Sequence, residues 1–217
     1  MILLPEHIEK LGYKVTVLKD RIYMIHDFVS VEERKEILDY AEAATQDDWE
    51  VAYLENVKNF AMLKFGTDDI DALVKSGKYE ITKNWSDKII KVYHLEASKS
   101  LKNKLAELFK DFPNLEINGG GMLQRQQPGV PLTAHVDNHT DPSLDYAVVA
   151  YINDTYNDGE IFFEHKGVKL KPPAGALLVF PTTEEYLHGV EAPGEGPIRY
   201  VIPSFIRKIG FYDENKF

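Results

Sequence analysis

The chain has 217 residues, 44% hydrophobic and 28% charged, and its 35 acidic against 25 basic side chains leave a net charge of −10. That excess of acid argues against non-specific nucleic-acid binding, because such affinity comes from Lys and Arg displacing counterions from phosphates. The absence of cysteine excludes disulfides, thiolate-held metals or clusters, and a thiol nucleophile.

No run of 18 apolar residues is present to span a bilayer. The start, MILLPEHIEKLGYKV, has a short apolar patch and no small-residue cleavage site, so it does not read as a signal peptide. The expectation is one cytoplasmic domain over residues 1–217. Residues 13–29 contain two short β-like runs around a Lys-Asp-Arg break. Ser30 followed by Glu33 three residues later is a capping-box signature, and Ile37, Leu38 and Ala41 give the ensuing helix one apolar face. Residues 50–84 lack clear periodicity and read as loops with a short helix near 68–75. A second helical region is predicted around 85–111, with Ile89, Ile90, Val92 and Tyr93 followed by Leu101, Leu105 and Leu108 at helical spacing.

From about residue 115 the texture becomes β. Short runs rich in Val, Ile, Tyr and Phe alternate with Gly, Pro, Asn and Asp clusters, predicting strands at 121–127, 132–137, 145–153, 160–164, 168–171, 176–180, 187–192 and 198–207. Many short strands with such turns suggest a sandwich, barrel or jelly roll, of which the cupin-like jelly roll is one form. The nearly continuous apolar run AVVAYIN fits a strand covered on both faces.

The stretch TAHVDNHTDP places His135, Asp137, His139 and Asp141 within seven positions. In an extended segment, side chains two apart point the same way with α-carbons roughly 6.5–7 Å apart, so His135 and Asp137 converge where the strand ends. His139 and Asp141 lie in a turn-prone context, where capping and solvation are the usual roles. His165, in FFEHKGVK, reads as a solvated hairpin residue. His188, between apolar neighbours and next to Gly189, is the remaining candidate ligand, although a lone histidine there is more often a hydrogen-bonded, half-buried one. Two His and one carboxylate with open coordination positions describe the facial triad of non-haem Fe(II) oxygenases. Arg199 opens the apolar strand of GPIRYVIPSFI and shares a face with Val201, Pro203 and Phe205. A buried guanidinium needs a carboxylate, either from the protein or from a ligand held bidentately.

Four segments then run in a familiar order: QPGVPLTAHVDN, VVAYINDTYNDGEIFF, VKLKPPAGALLVFP and LHGVEAPGEGPIRYVIPSF. Residues 121–207 resemble the 2-oxoglutarate/Fe(II)-dependent dioxygenases, in particular their prolyl 4-hydroxylase-like branch, and DFVSVEERKEIL at 27–38 is similar to the family's entry helix. The resemblance implies a mainly β fold with flanking helices around a double-stranded β-helix (jelly-roll, cupin-like) core. Residues 1–114 would supply N-terminal strands and supporting helices, and 115–208 the core. It places the metal triad on His135, Asp137 and His188, and the grip on the far carboxylate of 2-oxoglutarate on Arg199 and Tyr151. It also implies Fe(II), 2-oxoglutarate and O2 as cofactors, with ascorbate as a reductant.

Three departures stand out. Gln126 and Gln127 occupy the region where many relatives carry a tyrosine, which offers Gln127, or equally Gln126, as a contact for the keto acid or iron-bound water. A single glycine, Gly159, stands where two are common, and Phe205 replaces a late tryptophan. The implied reaction hydroxylates an unactivated C–H and releases succinate and CO2, with a proline of a peptide or protein as the favoured substrate. A free amino acid or other small molecule is the alternative, and no nucleic-acid or membrane partner is expected. Relatives carry mobile substrate-covering segments where this chain has residues 50–84, whose aromatics would equally suit plain packing. Two rival readings come from other classes. A non-catalytic cupin-like binding module would not need Arg199 and Tyr151 together. A metal hydrolase would need Asp145 or Glu160 as general base.

Overall fold

A computed structural model describes residues 3–45, 48–51, 88–119, 121–126, 128–129, 131–139 and 141–211. Of the expected loop region 50–84, residues 50–51 form a short strand instead, and the rest, with the helix near 68–75, lies outside the described residues, as does Gln127.

The N-terminal part begins with helix α1 (Pro5–Lys10) and a hairpin of β1 (Val15–Lys19) and β2 (Ile22–Ile25). The hairpin turns at the predicted Lys-Asp-Arg break, with Asp20 at a positive φ of 48°. Helix α2 (Val31–Ala43) starts with the predicted capping box: Ser30 Oγ accepts from Glu33 N at 3.2 Å, and Ser30 N donates to Glu33 Oε2 at 2.7 Å. Two orphan amides at the helix start are thereby satisfied. Glu33 also takes Lys104 Nζ at 2.7 Å from the next long helix, and the same ammonium donates to Phe28 O at 3.0 Å. One ion pair thus locks the two helices together and onto the chain that enters α2.

The predicted helix at 85–111 divides. Residues Lys88–Lys91 form strand β4, which pairs with β3 (Glu50–Val51) and β6 (Met122–Gln126), and only Glu96–Leu108 is helix α3. Ile89 and Ile90 are β-branched and find a ladder partner, which overrides an apolar spacing compatible with either state. Ala97, Leu101, Leu105 and Leu108 form the buried stripe of α3.

All eight predicted strands exist, to within a few residues at each end. They are β6, β7 (Leu132–His135), β8 (Leu144–Tyr151), β9 (Ile161–Phe163), β10 (Val168–Leu170), β11 (Leu177–Pro181), β12 (His188–Val190) and β13 (Arg199–Lys208). A further strand, β5 (Leu115–Gly119), pairs with β13. The larger sheet runs β1-β2-β11-β8-β13-β6-β4-β3, and the smaller runs β10-β9-β12-β7. All pairings are antiparallel. No described helix is long and apolar enough to cross a membrane.

The central strands β8, β11 and β13 of the larger sheet are covered on both faces, which explains their apolar sequences. Tyr146, Val148, Ala150 and Ile152 of β8 and its exit pack with Ile202 and Ile206 of β13 into the core beneath α2 and α3. The alternate residues Ala147, Val149 and Tyr151 face the other way, joining Phe163, Phe180 and Val201 in the space between the two sheets. This two-sheet jelly roll with helices on one side is the double-stranded β-helix architecture. The site lies in its inner layer.

Candidate active site

Pairing of β7 with β12 sets His135 directly opposite His188, and β12 also pairs His188 with Phe163 of β9. His135 is the last residue of β7. The backbone then turns into a one-turn 3-10 helix, Asp137–His139, so Asp137 swings round instead of continuing a strand. The expected strand 132–137 is therefore two residues shorter. His135 Nε2 lies 3.4 Å from Asp137 Oδ1, and His188 Nε2 lies 3.8 Å from Asp137 Oδ2. One ligand atom from each of the three residues falls within 4.8 Å of the others, a set able to hold a metal ion.

The two imidazoles are oriented by the same local device. His135 Nδ1 is 2.8 Å from Thr133 O, and His188 Nδ1 is 3.0 Å from Tyr186 O. A carbonyl can only accept, so each Nδ1 carries the proton and each Nε2 presents a lone pair toward Asp137. The two rings differ in environment. His188 is almost fully buried against Phe163 and Phe180, with ring centroids 5.6 Å and 4.6 Å away. Burial, resisted by the charge of Asp137, pulls its pKa down to about 4. It is neutral, and ready to coordinate, at neutral pH. Burial also lowers His135, but the hydrogen bond and charge of Asp137 outweigh it and leave the pKa raised. A proton then competes with a metal mainly at His135.

Gly189 makes the close strand approach feasible. A Cβ there would stand 2.8 Å from Leu132 O and 3.0 Å from Ala134 N of β7, and 2.6 Å from Phe162 Cζ.

Arg199, at the head of β13, is buried. Its Nη1 donates to Gln126 Oε1 at 3.1 Å and its Nη2 to Tyr151 Oη at 3.4 Å. Its guanidinium carbon is 5.2 Å from the Tyr151 ring centroid and 5.9 Å from that of Tyr156. Tyr151 is completely buried. Burial raises its pKa against the opposing charge of Arg199, so the phenol keeps its proton. The turn that leads into β11 holds this tyrosine in place: Tyr151 N donates to Ala176 O at 2.9 Å and Gly175 N to Tyr151 O at 2.8 Å. Gly175 takes φ +87°, and a Cβ on it would lie 2.7 Å from Val29 O. Of the two glutamines singled out in the sequence, Gln126 lies on Arg199, and Gln127 is outside the described residues.

The other acidic and histidine candidates separate from this group. His139 is exposed and pairs with Glu184 at 2.5 Å. Asp141 Oδ1 accepts from Ser143 N at 3.0 Å and Ser143 Oγ at 2.6 Å, an Asx turn. His165 is exposed in the 3-10 turn Glu164–Lys166. Two features had no legible signal in the sequence. The carbonyls of Thr133 and Tyr186 that fix the imidazoles are backbone groups, and Tyr156 reaches Arg199 only through the shape of the turn after β8.

The donor set suits Fe(II) with a dicarboxylic keto acid: two lone-pair nitrogens and a carboxylate for the ion, and a buried cation flanked by phenols for a distant carboxylate. Phe163 and Phe180, against His188, belong to the same inner cluster as Tyr151.

Comparison with known proteins agrees with this layout. Residues 121–207 match the family model described as "2OG-Fe(II) oxygenase superfamily". No curated protein sequence matches the chain. Solved structures similar to this chain include a prolyl hydroxylase from Trichoplax adhaerens in complex with a hypoxia inducible factor oxygen degradation domain peptide fragment. It is 18% identical, with 95% of this chain and 88% of that one covered and a TM-score of 0.62. The viral collagen prolyl hydroxylase of Paramecium Bursaria Chlorella virus-1, in a complex with 2OG, is 16% identical, with 88% and 97% covered and a TM-score of 0.57. A Pseudomonas putida prolyl-4-hydroxylase is 17% identical, with 87% and 93% covered and a TM-score of 0.54. At these identities the likeness is one of fold. The chain thus has a prolyl-hydroxylase-like fold, and its core strands, residues 121–207, are similar to the 2OG-Fe(II) oxygenase superfamily.

Proposed function

We propose that the protein hydroxylates an unactivated C–H of a prolyl residue in a peptide or protein, coupling this to conversion of 2-oxoglutarate and O2 into succinate and CO2. The observation that carries the reading is the pairing of His135, Asp137 and His188 with the buried Arg199–Tyr151 pair inside one jelly roll. A metabolite-binding module has no need of both, and a hydrolase would leave the buried cation without a task.

In this reading His135, Asp137 and His188 hold Fe(II), and Arg199 and Tyr151 hold the far carboxylate of 2-oxoglutarate. Bound iron supplies the oxidising chemistry, with one oxygen atom of O2 going to the substrate carbon and the other to succinate. The chain's own contribution is position and dryness. The carbonyls of Thr133 and Tyr186 aim the imidazoles, and the phenyl rings of Phe163 and Phe180 cover His188. Two neutral imidazoles and one carboxylate leave the Fe(II) centre with a net charge of about +1, suited to an anionic keto acid. Ascorbate would serve as a reductant that keeps the iron ferrous.

The prolyl assignment is supported by the fold it shares with prolyl hydroxylases that act on protein segments. The test is incubation with Fe(II), 2-oxoglutarate and a proline-containing peptide library, followed by mass spectrometry for peptides that gain one oxygen atom. Oxygen on proline supports the reading. Oxygen only on free amino acids or other small molecules replaces the substrate assignment, and no 2-oxoglutarate turnover overturns the reaction.

A further inference from the structure

We infer that Tyr156 is a third side chain, with Arg199 and Tyr151, that holds the far carboxylate of the keto acid and gives the site its preference for a dicarboxylate. The inference rests on the oxygenase reading above and adds a residue to it.

Tyr156 is 1% exposed; the guanidinium of Arg199, itself a donor, lies toward its hydroxyl, and among the described residues the phenol's own proton meets no acceptor. Leaving such a donor without an acceptor is costly, so a buried phenol with a proton to donate points to an acceptor that arrives with a ligand. Arg199 cannot be that acceptor, because a guanidinium only donates. What Arg199 provides is location. Its guanidinium carbon sits near both phenol rings, 5.2 Å from the centroid of Tyr151 and 5.9 Å from that of Tyr156. A carboxylate brought to that cation would find phenolic donors alongside it, and a carboxylate has about four acceptor sites to satisfy.

The surroundings hold Tyr156 in place. Asn153, three residues earlier, is clamped to the strand bearing Arg199. Its Nδ2 donates to Ile198 O at 2.8 Å, and Tyr200 N donates to its Oδ1 at 2.9 Å. Lys171 Nζ donates to Tyr156 O at 2.5 Å and stands 4.7 Å from the ring centroid. On the other side, a Cβ at Gly159 would come within 3.3 Å of Tyr156 Cε2, so that glycine lets the chain close over the ring. Burial, opposed by the charge of Arg199, pushes the Tyr156 pKa up to about 12, which keeps the hydroxyl a donor at any working pH.

The test is isothermal titration of Mn(II)-loaded protein with 2-oxoglutarate and with 2-oxopentanoate, which keeps the keto acid but lacks the far carboxylate. Tyr156→Phe retains the ring and its packing. The expected result is a loss of about 10- to 100-fold in 2-oxoglutarate affinity, the range for a hydrogen bond to a charged group, with 2-oxopentanoate binding unchanged. If the wild type prefers 2-oxoglutarate and Tyr156→Phe keeps that preference, the role of Tyr156 is overturned while the oxygenase reading stands. Equal weakening of both ligands also overturns it, leaving Tyr156 a packing residue. If the wild type binds neither ligand, the oxygenase reading itself fails and this inference goes with it. A crystal structure of the wild-type protein with Mn(II) and 2-oxoglutarate decides the point without a variant. Tyr156 Oη within about 3.2 Å of the far carboxylate supports the inference, and a longer separation overturns it.

Discussion

Replacing Gly189 by alanine should damage metal binding without touching a ligand. The added Cβ would lie 2.8 Å from Leu132 O and 3.0 Å from Ala134 N, where ordinary contact begins at 3.4 Å. Both are backbone atoms of β7, and Gly189 has no positive φ that would confuse the effect with strain. The strands must therefore separate by about 0.4–0.6 Å, whereas a metal site tolerates only about 0.2 Å in its ligand distances. The neighbours of the clash include His135, which ends β7, and His188, which faces it across the ladder. Overpacking of this kind costs roughly 1–3 kcal/mol of stability. The accompanying loss in metal affinity should be about 10- to 100-fold, similar to removal of a group that orients a ligand. Calorimetric titration with Mn(II), beside thermal melts of the metal-free protein, reads both effects. A Gly189→Ala protein that binds Mn(II) as the wild type does, with an unchanged Tm, would refute the claim that this glycine sets the spacing of the ligand strands.

Three further outcomes are expected. Arg199→Met should weaken 2-oxoglutarate binding by about 100-fold or more, from the loss of two or more charge-assisted hydrogen bonds, while Mn(II) affinity stays the same. His135→Ala should abolish Mn(II) binding, and His139→Ala, which removes only an exposed pair with Glu184, should leave it intact in the same titration. Glu33 links its own helix cap to Lys104. Burial works against its charge, but hydrogen bonds from Lys104, Ser100 and Ser30 prevail and hold its pKa below the ordinary 4.5. A depressed carboxylate stabilises the fold above its unfolded pKa, and that contribution is lost as the pH falls through the folded value. Glu33→Gln should therefore be about 1–2 kcal/mol less stable in urea unfolding at pH 7, and the gap should close below about pH 4.5.

The jelly-roll strands were legible because each is a short apolar run bounded by Gly, Pro, Asn or Asp, and because the central strands of the larger sheet are covered on both faces. Residues 85–111 were harder. The spacing of Ile89, Ile90, Val92 and Tyr93 suits a helix face or a strand, and only the ladder with β6 decides between them. In the site, His135 and Asp137 were readable locally, although the turn that brings Asp137 round is a 3-10 helix and not the end of a strand. His188 and Arg199 are about fifty and sixty residues away, and nothing local ties them to that pair; the order of family-like segments did. Gln126 meets Arg199 because it is its ladder partner on β6, and Gln127 lies outside the described residues. Tyr156 carries no periodic or motif signal, since its place beside Arg199 depends on the clamp at Asn153.

The central claim is tested most directly by measuring succinate formed from 2-oxoglutarate under air by Fe(II)-loaded protein, with His135→Ala and Arg199→Met in parallel. The account predicts O2-dependent succinate from the wild type and its loss in both variants. Wild-type protein that retains Fe(II) yet neither binds nor converts 2-oxoglutarate would contradict it.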